Sequence, residues 1–311
     1  MIPPVNTFEW VKYGCSSKAP QIKRDRLNPM TRVVKKWSAK DATNCIITPS
    51  DLDHKYSRGV LGLITGSAQF PGAAVLTTAA ASATGVGMVR FHSSSGLAHL
   101  VLHSTPSAVV QPGKVAAWVV GSGINAKQFS EFTTWLRHRW FKLVRLQSVP
   151  TILDAGALYL AGSLEQPTVI TPHSGELAKL LSERGLKVSA EAIEGDPKKW
   201  VQNAADTLGV TVLLKGSTTY VANDEILIQL PVATPWLATA GSGDVLAGIM
   251  GALVATNAIE ILNDYNHLAY VAATAAFVQN QAAVRASSGA PINAEAIIDA
   301  IPETLAKLLK N

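Results

Sequence analysis

The chain has 311 residues, of which 48% are apolar and 16% charged, so a sizeable buried core is expected and a disordered polar chain is excluded. The net charge of +5 does not mark a nucleic-acid surface: residues 1 to 40 hold nine Lys and Arg against Glu9 and Asp25, which leaves eighteen basic and twenty acidic residues, about −2, for the rest. Cys15 and Cys45 have no metal-ligand cluster around them, which fits two inert thiols and a reducing, cytoplasmic setting.

The basic residues 1 to 50 form an expected N-terminal extension, poorly ordered, ahead of one domain over residues 51 to 311. No apolar h-region follows the start, so no secretory signal is expected. The extension has the composition of a transit peptide, but Pro3, Pro4, Pro20 and Pro29 break any amphipathic helix. Residues 59 to 89 carry no charge, yet Gln69, Pro71 and six glycines interrupt them, so they read as strand, loop and buried helix instead of a membrane span.

From there one pattern recurs. Val60 to Thr65 reads as a strand, runs into the Gly66 to Gly72 loop, and is followed by an Ala-rich helix, Ala73 to Ala83. Val115 to Val120 leads to Gly121-Ser122-Gly123 and a helix over Gln128 to Leu146. Thr151 to Leu153 leads to Asp154-Ala155-Gly156. Thr168 to Ile170 leads to Thr171-Pro172-His173-Ser174-Gly175 and a helix from Glu176. Val210 to Leu214 leads to Lys215-Gly216-Ser217-Thr218-Thr219, with Tyr220 to Ala222 as a returning strand. Residues 257 to 311 are mostly helical, with Asn293 capping a last helix from Ala294 to Leu309. Apolar strands alternating with helices predict an α/β fold of three layers, a mostly parallel sheet covered on both faces. In such a sheet the loops after the strands share one edge, where ligands bind. Gly66, Gly72, Gly123, His173, Lys215 and Asp244 are all expected there.

The most informative stretch is Thr239-Ala240-Gly241-Ser242-Gly243-Asp244, followed by the apolar run Val245 to Val254. Gly241, Ser242 and Gly243 at a helix N-terminus make an anion cradle. Asp244 beside that cradle suits either a base that deprotonates a hydroxyl during phosphoryl transfer or a simple helix cap. Lys215 reads as a phosphate partner or a solvated charge, and His173 as a ligand or a helix cap. Glu176 suits a helix-dipole acid or a magnesium-water network. Asp154 stays open between metal, ribose and turn roles.

These clusters, in this order from about residue 54 to 309, resemble the ADP/ATP-dependent NAD(P)H-hydrate dehydratases of the ribokinase-like superfamily. The resemblance rests on Gly66-Ser67 with Pro71-Gly72-Ala73, Gly121-Ser122-Gly123, Asp154-Ala155-Gly156-Ala157-Leu158, Thr171 to Glu176, Leu214-Lys215-Gly216 with Thr219, and Gly241 to Gly248. It implies a repair enzyme that removes water from the S epimer of hydrated NADH or NADPH, driven by ADP, or ATP, with Mg2+. It assigns Asp244 as the base and Ala73, Gly123, His173 and Asp244 to the hydrated cofactor. Lys215, Gly216, Ser217, Thr218, Thr219 and Gly243 fall to the adenine nucleotide. It also implies a homotetramer acting with a separate NAD(P)H-hydrate epimerase, the extension being too short for an epimerase domain. Two positions depart from the family pattern, Gly156 for a second Asp and Ser122 for a Pro. A small-molecule kinase of the same superfamily, or a nucleotide-binding protein without turnover, are the competing readings.

Overall fold

The computed structural model describes residues 32–125 and 132–310, which lie within one compact unit. Among the described residues nine strands form one sheet: β1 (Val34–Lys36), β2 (Val60–Ile64), β3 (Met88–Phe91), β4 (Ala117–Val120), β5 (Thr151–Leu153), β6 (Thr168–Ile170), β7 (Thr211–Leu214), β8 (Tyr220–Ala222) and β9 (Leu227–Gln229). Their order is β1-β9-β8-β7-β6-β5-β4-β2-β3. Neighbours pair in parallel except where β8 meets β7 and β9, so β8 is the returning strand.

Alternation along the strands builds a core on each face. Leu61, Leu63, Val119, Ile152, Val169, Leu213 and Val221 point into one, with helices Pro71–Thr84, Ser242–Thr256, His267–Ser287 and Ala294–Lys310. Ile64, Trp118, Val120, Leu153, Ile170 and Val212 point into the other, with helices Ser174–Glu183 and Pro197–Leu208. Both strand faces are therefore apolar, as a buried parallel sheet requires. On the first face the helix Ser242–Thr256 lies unusually close to Pro71–Thr84. A Cβ at Gly248 would stand 2.5 Å from the Thr77 carbonyl oxygen, so only hydrogen fits there. That contact fixes the height of the helix whose N-terminus carries Asp244.

The boundary expected at residue 50 is corrected. β1 and helix Ala39–Thr43 come from the segment read as an extension, and β1 pairs in register with β9. Trp37 is buried at 4% exposure and stacks on Tyr270, with ring centroids 5.7 Å apart. Residues 1 to 31 of the expected extension lie outside the described residues. Trp37→Ala should cost about 3–5 kcal/mol in denaturant unfolding, the usual effect of emptying a buried aromatic site. A near-zero change would return this segment to the role of a tail. The helix expected over 128 to 146 is divided where described, into Phe132–Trp140 and Lys142–Leu146, and its first residues lie outside the described part. Among the described residues no helix is long and apolar enough to cross a membrane.

Candidate active site

The expected loops do meet at one edge. Gly66 follows β2, Gly121 to Gly123 follow β4, Asp154 follows β5, His173 follows β6 and Lys215 follows β7. Helix Ser242–Thr256 brings its first turn to the same place, opened by Gly241 at φ 85°. An L side chain disfavours that backbone, and a Cβ there would strike Leu76 Cδ1 at 2.6 Å. Ser242, Gly243 and Asp244 are the first three helical residues, where N–H groups lack acceptors within the helix.

Asp154 is the hub. It is 5% exposed and accepts hydrogen bonds from Ser122 Oγ at 2.8 Å and Thr171 Oγ1 at 2.7 Å. Lys215 Nζ lies 3.3 Å from Asp154 Oδ1 and 3.7 Å from Glu176 Oε2. The same ammonium stands 3.9 Å from where a Cβ on Gly243 would be, over the helix N-terminus. Lys215 is thus no solvated loop charge. Burial opposes its charge, but the carboxylates of Asp154, Glu176 and Asp244 outweigh that and raise its pKa.

The N-cap of this helix is Gly241, so Asp244, in the first turn, is not the capping residue. Burial, then the neighbouring Asp154 charge, push its pKa from 3.8 up to about 7, with Lys215 pulling the other way. Such a carboxyl group can both hold and release a proton near neutrality, the property a general base needs. An acid raised in this way keeps its proton in the folded chain at pH values where the unfolded chain has lost it. Stability therefore falls as pH rises from about 4 to about 7, and the cost is fully present above that window. Asp244→Asn removes the cost. The variant should melt several degrees above the unaltered chain near pH 8, with the gap closing near pH 4; equal gaps at both would contradict the raised pKa.

His173 is the helix cap. Its Nδ1 accepts from the Gly175 N–H at 3.1 Å, while Glu176 Oε2 accepts from the His173 N–H at 2.9 Å. That reciprocal box spends Nδ1, but the ring is 59% exposed and its Nε2 lies 3.5 Å from Glu176. Ala73 and Gly123 abut: a Cβ on Gly123 would fall 2.3 Å from that of Ala73. Ser122 and Glu176 join this half of the edge to Lys215.

A cavity of about 550 Å³ opens on the other side of Lys215. Its lining includes the polar stretch Lys215, Gly216, Ser217 and Thr219, the turn Ser242 and Gly243, and the apolar side chains of Val232, Pro235, Leu237, Leu246 and Phe277. Of the nucleotide residues read from the sequence, Thr218 alone is absent from the lining. The apolar wall went unread, as did Gln279 and Asn280. So did Arg137, a buried guanidinium that donates to the carbonyls of Thr65, Gly66 and His92 and holds the loop after β2 in place. Burial lowers its pKa to about 9. A carbonyl-bound arginine gives no sequence signal.

Both departures lie at or against the turn after β4 and are accommodated there. A Cβ at Gly156 would meet the Ile124 carbonyl oxygen at 2.1 Å, because the turn after β4 fills the space a side chain would need. Ser122 supplies that turn with a hydroxyl bonded to Asp154. The carboxylates do not make a resident metal cage: no group of three or more His, Cys, Asp or Glu forms one among the described residues, and the Lys215 ammonium already lies between Asp154 and Glu176. Magnesium carried by nucleotide phosphates needs only one or two carboxylates, a demand that these residues would meet.

Fold and edge together define a three-layer α/β protein with a cavity at the strand-end edge, beside Lys215 and the first turn of helix Ser242–Thr256. The chain belongs to the NAD(P)H-hydrate dehydratase family, whose model matches residues 61–303. It is 40% identical over 223 residues to the bifunctional NAD(P)H-hydrate repair enzyme Nnr of Mycobacterium tuberculosis, an alignment covering 67% of this chain and 43% of that one. The chain thus spans under half the length of that relative. It is 31% identical over 221 residues to the ADP-dependent (S)-NAD(P)H-hydrate dehydratase of Neisseria meningitidis, covering 65% of this chain and 71% of the other. The crystal structure of the ADP/ATP-dependent NAD(P)H-hydrate dehydratase from Bacillus subtilis, co-crystallized with ATP/Mg2+, superposes with a TM-score of 0.74. It covers 90% of this chain and 99% of that one at 22% identity, a likeness of fold.

Proposed function

We propose that the protein dehydrates the S epimer of NADH or NADPH hydrate at the expense of ADP or ATP, regenerating the reduced cofactor. The observation that carries this is Asp244. Its pKa is raised to about 7, and it lies in the first turn of a helix that faces Lys215 and a nucleotide-sized cavity. The names of the Neisseria and Mycobacterium relatives support the substrate class.

Hydroxide is a poor leaving group, and phosphorylation turns it into a good one. Asp244 takes the proton of the ring hydroxyl as its oxygen attacks the terminal phosphoryl group and the bond to the bridging oxygen breaks, releasing the shortened nucleotide. Lys215 and the N–H groups at Gly243 and Asp244 hold the charge that develops on the phosphoryl oxygens. Phosphate then leaves with the carbon–oxygen electron pair, the neighbouring carbon gives up a proton, and the ring double bond returns. Magnesium, where it arrives with the nucleotide, would neutralise phosphate charge, with Asp154 and Glu176 as the carboxylates nearest to hold it. Ala73, Gly123 and the outer nitrogen of His173 form the wall for the hydrated ring, and Lys215, Gly216, Ser217, Thr219 and Gly243 hold the phosphates. ADP giving AMP and phosphate is the proposed stoichiometry, with a homotetramer as the assembly and a separate epimerase supplying the S form.

Mass spectrometry of the products separates this reading from a kinase. Free phosphate, shortened nucleotide and dehydrated cofactor in equal amounts are expected. A stable phosphate ester of any alcohol, with no dehydrated cofactor, would overturn it.

A further inference from the structure

Two adjacent amides on helix His267–Ser287, Gln279 and Asn280, are each 7% exposed, yet both reach the cavity. Neither spends its hydrogen bonds within its own helix. Asn280 Oδ1 accepts the backbone N–H of Thr234 at 2.9 Å, and its Nδ2 points to the Val232 carbonyl at 3.5 Å. Gln279 Nε2 donates to the Ser242 carbonyl, the first residue of the helix that forms the anion cradle. The two walls of the cavity, the loop after β9 and the cradle, are therefore tied to consecutive residues of one rigid helix. Few other bonds hold the loop. Ala233 N–H reaches the Ser217 carbonyl at 2.8 Å, and Trp236 and Val232 are exposed.

We propose that Gln279 and Asn280 are positioning residues for the nucleotide: together they set the distance between the apolar loop Pro231 to Leu237 and the cradle at Ser242 and Gly243. The proposal rests on the reading of this cavity as the nucleotide site. Buried amides are costly to keep unless their bonds are made, and here all the recorded partners are cavity wall. The bonds set where the walls stand, not the chemistry, so their loss acts on binding and leaves the phosphoryl step alone.

Calorimetric titration with ADP and magnesium chloride, paired with steady-state kinetics, tests this on the full chain. Asn280→Leu and Gln279→Met should each weaken ADP binding and raise its KM about tenfold, the effect of one lost buried hydrogen bond, with kcat at saturating nucleotide within about twofold. Thr234→Pro offers a second route that spares the buried helix. Thr234 already has φ −62°, which proline adopts, so the change removes the N–H that Asn280 accepts, along with the threonine hydroxyl, without forcing a new φ on the loop. It should weaken ADP as Asn280→Leu does, and the double variant should be no weaker than either single one. ADP binding unchanged in Asn280→Leu or in Thr234→Pro, or full additivity of the two, would overturn the proposal. An unaltered chain that gives no heat with ADP or ATP would instead overturn the nucleotide site itself, and the proposal with it.

Discussion

Asp244→Asn should lower turnover by about 10²–10⁴-fold while nucleotide affinity stays within about threefold. The amide keeps the size and packing of the carboxyl but cannot accept the hydroxyl proton, and the residue that caps this helix is Gly241, not Asp244. The change also removes the folded-state cost of a carboxylate whose pKa is raised to about 7, so the variant is expected to be more stable above neutrality than the chain it came from. Inactivity joined to a higher melting temperature cannot be explained by unfolding. In the unaltered chain, kcat should rise with pH through an apparent pKa near 7, because only the deprotonated form of Asp244 is a base. Turnover within a few-fold of normal in Asp244→Asn would take Asp244 out of the chemistry.

Lys215→Met should weaken nucleotide binding by about 10–100-fold and move the acid limb of the rate profile to higher pH. Lys215 is the cation set among Asp154, Glu176 and Asp244. A phosphate loses a charge-assisted bond when it goes, an effect of roughly 1.5–3 kcal/mol. The second consequence follows from the charge balance around Asp244. Burial and Asp154 raise its pKa and Lys215 lowers it, so removing Lys215 leaves only the raising causes. Calorimetry with ADP reads the first effect and the pH dependence of kcat the second. An acid limb that stays in place, or moves down, would show that the ammonium does not face Asp244 in the working enzyme.

Much of this edge could be read from the chain because each of its parts is local. A β-branched run followed by Gly, Ser, Pro or His marks a strand end in a parallel sheet, and Thr151 to Leu153 and Thr168 to Ile170 emerge as strands without adjustment. The short outer strands were hidden for equally physical reasons. β1 carries Lys35 and Lys36, charges that suit an exposed sheet edge but read as part of a basic tail. β9 is followed by no glycine before Gly241, so it lacks the Gly-bearing loop that marks β5 and β6. Within the site, Asp244 and Lys215 stood out through their glycine neighbours. The Asp154–Lys215 ion pair did not, because it joins residues 61 apart. Gln279 and Asn280 sit in a helix whose alanines spoke only of close packing. The wall from Pro231 to Leu237 has no motif at all, and its role comes from where helix His267–Ser287 holds it.

The departures at Ser122 and Gly156 bear on whether the edge can work. The turn after β4 fills the place of a side chain at residue 156, and the Ser122 hydroxyl anchors that turn to Asp154. The carboxylate hub, Lys215 and Asp244 are all present with this turn closed down.

The measurement that bears most directly on the central claim follows the near-ultraviolet absorbance of reduced nicotinamide in a solution of S-NADPH hydrate, magnesium and the purified chain. The signal should stay flat until ADP or ATP is added and then rise, in step with phosphate release, and the same addition to Asp244→Asn should give almost nothing. A flat signal with both nucleotides, from a chain that calorimetry shows to bind them, would contradict the dehydratase account.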